Sequence, residues 1–324
     1  VQITVKFPYN VAMKDSAIRI GTVAMNAYRE AVRARILHGL LGAALATCIY
    51  SLFIAGLSLH QEPRVIADLG IASISLYAVM VAILLGATSL YRELELKTIF
   101  PILARPIRRH EYLLGKYFGT LATLAVFIMI DAAAVLALLA AQTSDSIWPV
   151  VTAVAISLLV LGVALLRAKY TRVFVLIPWS IAILITMTIL AKSAGSERQL
   201  VLAGSVLALS ETAIVAAMAT LFSSFSSPFL TAIFTLGVFL VGRSTDTLAN
   251  LPVRMFGDAI RTFGKFLAHI FPNLQAYVPP RPLLLGETNV ATWVFVGQGA
   301  LHAVCYAAVL VAFAAMVFRK RDFL

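Results

Sequence analysis

Charge is scarce in this chain. Asp, Glu, Lys and Arg make up 13% of its 324 residues and 61% are hydrophobic, where a soluble domain is about a quarter charged and about half apolar. One globular core cannot bury that excess. Cysteine is nearly absent too: Cys48 and Cys305 both lie inside apolar runs, so a disulfide framework is set aside and packing is the default role. There is no G-x-x-x-x-G-K-[ST] phosphate loop. Gly115-Lys116 and Gly264-Lys265 lack both the upstream glycine and the following Ser or Thr, which excludes an ATP site of this type. No G-x-S-x-G elbow surrounds Ser223, Ser224, Ser226 or Ser227, so serine hydrolysis has no support. No cleavable secretory signal is expected, because Val1 to Arg35 is polar and basic and the first apolar run ends without a processing site. The formal net charge of +11 would suggest nucleic acid in a soluble protein, but here the basic residues flank the hydrophobic runs. They read as a topology signal, and no nucleic-acid partner is expected.

What the chain does have is long apolar runs. Eight are expected to span a membrane, at about 36–58, 69–90, 118–141, 148–166, 173–191, 199–222, 228–242 and 293–318. They are continuously apolar rather than alternating, which calls for helices and not a barrel. With the N-terminus inside, the segments 1–35, 91–117, 167–172 and 319–324 hold 6, 6, 3 and 3 Lys and Arg residues, 18 of the 26 in the chain. That bias places both termini on the cytoplasmic side.

Three non-spanning parts stand out. Residues 17–34 carry Ile20, Val23, Ala24, Ala27, Tyr28 and Ala31 against Arg29, Glu30 and Arg33, the pattern of an amphipathic helix lying on the membrane lipids. Residues 91–117 form a loop that Pro101 and Pro106 break. In the outer segment 243–292, Val253, Phe256, Ile260, Phe263, Leu267 and Ile270 recur at helical spacing, stopped by Pro272. They predict an interfacial or re-entrant helix. No soluble domain or internal repeat is visible, so 1–324 reads as one membrane domain.

Four stretches carry a resemblance. They are Asn26-Ala-Tyr-Arg-Glu-Ala-Val-Arg-Ala-Arg-Ile-Leu-His-Gly-Leu-Leu41, the run Tyr91-Arg-Glu-Leu-Glu-Leu-Lys-Thr-Ile-Phe-Pro-Ile-Leu-Ala-Arg-Pro-Ile-Arg-Arg-His-Glu-Tyr-Leu-Leu-Gly-Lys116, the turn Leu221-Phe-Ser-Ser-Phe-Ser-Ser-Pro-Phe-Leu230, and the ending Phe318-Arg-Lys-Arg-Asp-Phe323. Together they resemble the type 2 ABC exporter permeases, closest to the subgroup labelled as the permease of multicopper-enzyme maturation systems. The resemblance implies an all-α polytopic fold with a six-span core in a bacterial cytoplasmic (inner) membrane. It implies no cofactor in this chain, with ATP and Mg bound by a separate cytoplasmic ATPase, and a second permease copy or paralogue completing the complex. The chain departs from the family in the hairpin 148–191, two spans added after the third. The resemblance also implies that the 91–117 loop docks on the ATPase, with Glu93, Glu95, Lys97, Arg105, Arg108 and Arg109 as the coupling residues.

Asp131, Glu211 and His302 fall near the middle of spans at similar depth. A charge there is disfavoured by about 2.5–3.5 kcal/mol on insertion scales. These residues are therefore expected to face the bundle interior, either as a substrate or gating network or, on the favoured and milder reading, as hydrogen bonds between helices. No zinc-ligand spacing links them. The expected function is the transmembrane subunit of an ATP-driven exporter, not itself an enzyme. Two alternatives stay open: a non-transporting signalling or mechanical complex acting on an outer-face partner, and a proton-coupled secondary carrier.

Overall fold

The protein is seen in a computed structural model that describes residues 9–58, 61–95, 108–168, 171–250, 258, 261–267, 271–278 and 292–320. Among these residues it is all helix and turn, without strand. Its elements are α1 (Tyr9–Arg33), α2 (Arg35–Gly56), α3 (Glu62–Glu95), α4 (Arg109–Thr143), α5 (Trp148–Arg167), α6 (Leu176–Leu190), α7 (Gly195–Ser223), α8 (Pro228–Arg243), α9 (Thr245–Ala249) and α10 (Thr292–Lys320). Single 3₁₀ turns precede α6 and α7. Six helical stretches are long and apolar enough to cross a membrane: Arg35–Gly56, Glu62–Thr88, Arg109–Thr143, Trp148–Arg167, Arg172–Ser223 and Thr292–Arg319. The chain is an all-α polytopic membrane protein.

The punctuation between helices follows the sequence. Ala34 is extended at φ −67°, ψ 124°, and separates α1 from α2. Gly195 has φ +53°, a conformation that costs glycine little, and it starts α7 after the turn Ala191–Ala194. Pro149 and Pro228 stand in the first turns of α5 and α8, where a missing backbone N–H is tolerated. In the turn between α7 and α8, Ser226 and Thr231 hydroxyls meet at 2.7 Å, and Phe222 packs against Phe225 and Phe234.

At the centre α3, α4 and α7 pack on one another. Lipid offers no hydrophobic drive between helices, so close packing across small residues has to hold them. A Cβ on Gly70 would sit 2.5 Å from Val135 Cγ1, one on Gly86 2.3 Å from Ala219 Cβ, and one on Gly204 3.0 Å from Ile71 Cγ2. Around this core, α2 packs on α3 and α4, α10 on α7, α8 on α7 and α3, and α6 on α4. Helix α5 lies outermost against α6. Val150 is its single buried residue, and Trp148, Ile156, Leu159 and Leu166 point outward. An all-round apolar helix with so little protein contact has lipid or a partner as its neighbour.

Two helices exceed the membrane. α3 and α4 have 34 and 35 residues, about 50 Å each at 1.5 Å per residue against a hydrocarbon core of about 30 Å. Their surplus turns stand beyond it. In contrast, α8 has 16 residues, about 24 Å, and its end is met by a returning chain: Leu274 N donates to Gly242 O at 3.0 Å. α1 begins well before residue 17, the start expected from the sequence. Of the expected outer helix from Val253 to Phe271, residues 261–267 are helical, and most of the remainder lies outside the described residues.

Candidate functional site

One site is built where α1 meets the first turns of α4. Glu111, at the third position of α4, is fully buried. It takes the backbone N–H of Arg108 at 3.0 Å, a natural use of a carboxylate at a helix start. Arg19 of α1 donates to both its oxygens, Nε to Oε2 at 3.0 Å and Nη2 to Oε1 at 2.9 Å, and Ser16 Oγ adds a further bond. A two-pronged guanidinium contact is among the strongest protein hydrogen-bond arrangements. The Arg19 hydrogen bonds are the main cause holding the Glu111 carboxyl down to about 2, against the opposing effect of burial. One turn later Lys116 Nζ meets Glu30 Oε2 at 3.2 Å. Gly115 and Gly119 bring the two backbones together: their Cβ atoms would lie 2.5 Å from Val23 Cβ and 2.5 Å from Ala24 O. Tyr28 is buried, its ring stacks on Phe174 with centroids 6.1 Å apart, and its hydroxyl donates to Val173 O at 3.3 Å. The start of α4 is also tied to the end of α10 by Arg109 Nη1 donating to Arg319 O at 3.2 Å.

The loop residues expected from the sequence divide accordingly. Glu93 and Glu95 lie on the last turn of α3, where only the backbone is described. Lys97 and Arg105 lie outside the described residues. Arg108 and Arg109 are described and sit where α1, α4 and α10 converge. Of the α1 set, Tyr28 and Glu30 are engaged as above, while Arg29 and Arg33 are exposed.

The second site is a buried polar cluster between α3, α7 and α8. Glu211, 1% exposed, accepts from Ser75 Oγ at 2.9 Å and is paired with Arg243 Nη1. A cavity of about 170 Å³ opens beside the pair, with Asp68 and Tyr277 also on its wall. Tyr277 Oη lies 2.9 Å from His302 Nδ1, and the His302 ring contacts Tyr306. So Glu211 and His302 flank Tyr277. Asp131 belongs elsewhere: it is fully buried, accepts from Cys48 Sγ at 3.3 Å, and its Oδ2 has no hydrogen-bond partner among the described residues. The three residues read together by depth thus fall into two clusters.

Compared with known proteins, the chain matches no family model and no curated protein.

The chemistry therefore has to be read from the geometry. Among the described residues no group of three or more His, Cys, Asp or Glu stands close enough to hold a metal. The first cluster ties α1 to the start of α4, and the second is a charged pair beside a small cavity. Sequence reasoning missed Arg19, Glu111, Ser75, Arg243 and Tyr277. Glu111 had a usable signal as an acidic residue five positions after the helix-breaking Pro106, in the first turn of the helix that follows. Arg243 had one in closing an apolar run too short to span comfortably.

Proposed function

We propose that this chain is the transmembrane subunit of an ATP-driven exporter whose ATPase is a separate cytoplasmic protein. The observation that supports it best is the joint at Glu111. The 91–117 segment leads straight into α4, and Arg19, Ser16 and the glycine contacts fasten α1 to the same turns. A push on the loop would therefore move α1 and the long α4 together. α4 runs to Thr143 through the core of the bundle, so the push would reach the far face. The Glu211–Arg243 latch lies between helices that such a motion would shear, which suits a gate.

The reading has eight spans. The 52-residue stretch Arg172–Ser223 is about 78 Å long at helical rise and holds two crossings, broken at Ala191–Gly195. α8 makes the eighth, shortened where the outer segment folds back on Gly242. Both termini and α1 are cytoplasmic by their positive charge. A second permease copy would complete the path.

The test is a triple reversal, Arg105→Glu, Arg108→Glu and Arg109→Glu. One exposed pair contributes up to about 1 kcal/mol, but three reversals add like-charge repulsion with an acidic partner amounting to several kcal/mol. The reversal lowers the positive-inside bias locally and should disturb insertion as well, so topology is checked in the same variant. The correctly inserted fraction should lose its co-purifying ATPase or uncouple hydrolysis. Normal insertion with wild-type ATPase capture and coupling would refute the reading.

A further inference from the structure

A cleft of about 590 Å³ lies between α1, α3 and α4, at the end of the bundle where α1 turns into α2. Its volume falls in the range of ligand pockets. Arg29 and Arg33, one helical turn apart on α1, stand on its rim with Asn26, and Ala31, Leu85 and Thr88 contribute wall. The neighbouring charges on α1 and α4 are already matched, because Glu30 is paired with Lys116. Among the described residues neither Arg29 nor Arg33 has a hydrogen bond or ion pair. Two guanidinium groups without a partner among the described residues therefore face a cleft with partly apolar walls.

Position supplies the rest. Arg35 begins a membrane-length helix, and Thr88 lies two residues short of the end of the apolar run 69–90 on α3. The cleft is thus at the level where lipid phosphates lie. Guanidinium groups bind phosphate oxygens in a planar fork, and basic pockets between spanning helices suit anionic headgroups. We propose that this cleft holds the phosphate headgroup of an anionic glycerophospholipid, gripped by Arg29 and Arg33, with the start of its acyl chains against the apolar wall. A bound lipid there would wedge α1 against α3 across from the Glu111 joint. The inference is independent of any ATPase, since it concerns this chain and the bilayer alone.

The experiment titrates the purified chain in neutral detergent with phosphatidylglycerol, phosphatidylcholine or inorganic phosphate, reading occupancy by native mass spectrometry. Two arginines at about 1 kcal/mol each give a loss of roughly thirty-fold in phosphatidylglycerol affinity for Arg29→Gln/Arg33→Gln, and about five-fold for each single variant. Phosphatidylcholine should bind weakly and equally in all forms. Lys192→Gln/Lys265→Gln removes two exposed cations that do not line the cleft, Lys192 standing beside Ser193 at the opposite, Thr143 end of α4, and should leave affinity unchanged. Wild-type affinity in Arg29→Gln/Arg33→Gln, or an equal loss in the remote pair, overturns the proposal. Inorganic phosphate that displaces the lipid at equal concentration also overturns it, in favour of a free-anion site. Should the double variant fail to elute as a single species, the single variants decide: no loss in either rejects the site.

Discussion

Replacing Arg243 by Gln should destabilise the protein far more than replacing Glu211 by Gln. The asymmetry follows from burial. The side chain of Glu211 is 1% exposed and that of Arg243 is 29% exposed. Taking away one partner of a buried pair costs about 3–5 kcal/mol, because the other charge stays buried and unmatched. In Arg243→Gln that stranded charge is the Glu211 carboxylate, which among the described residues keeps the Ser75 hydrogen bond alone. Partial exposure of Arg243 puts the expected loss near the lower end, about 3 kcal/mol. In Glu211→Gln the stranded group is the guanidinium, which can regain water, and the new amide can still accept from Ser75. The expected loss is about 1 kcal/mol. With both replaced the charge problem vanishes and about 1.5 kcal/mol is lost, which leaves a coupling of about 2.5 kcal/mol in the double-mutant cycle. An ordinary hydrogen bond between membrane helices averages about 0.6 kcal/mol, so the two cases are well separated. Equilibrium unfolding in mixed micelles is the assay. The reasoning is refuted if Glu211→Gln costs as much as Arg243→Gln, or if the two losses add to within about 0.5 kcal/mol.

Two further outcomes are expected. The folded state holds the Glu111 carboxyl at about 2 rather than 4.5, so its contribution to stability is fully present above pH 4.5 and is lost as pH falls toward 2. The gap in unfolding midpoint between wild type and Glu111→Gln, worth about 2–3 kcal/mol once the partial exposure of Arg19 is discounted, should hold steady from pH 7 to 5 and close below it; a gap that does not narrow contradicts the Arg19 clamp. In a background lacking Cys48 and Cys305, single cysteines at Ser146 and Ser193 should react with an impermeant maleimide from the outer side and one at Ala168 should not, and the reverse pattern would invert the reading of the 148–191 hairpin.

Much of the fold was legible because the bilayer restricts the choices. A run such as 118–141 must satisfy its own backbone, and a helix does so within the segment. The structure adds the joints at Gly195, with its positive φ, and at Pro228 in the first turn of α8. On α1, Tyr28 is buried and Arg29 and Arg33 are exposed, but the apolar side expected against lipid packs on α4, with Val23 and Ala27 against Gly115 and Gly119. The joint at Glu111 was not legible, because its partner Arg19 lies 92 residues away, and only the close approach allowed by Gly115 and Gly119 brings the two together.

The division between what the amino-acid sequence determines by itself and what needs the tertiary structure is geometric. Counting from the end of an apolar run fixes a residue's depth, since each residue adds about 1.5 Å. By that count Asp131, Glu211 and His302 are expected to share a level. Depth does not fix direction: each residue also turns about 100° around the helix axis, and the neighbour it faces depends on which helices adjoin. Those choices are made by packing between segments far apart in the chain, through contacts such as Gly86 on Ala219 and Gly70 on Val135. Packing placed Ser75 and Arg243 against Glu211, put Tyr277 between Glu211 and His302, and turned Asp131 toward Cys48.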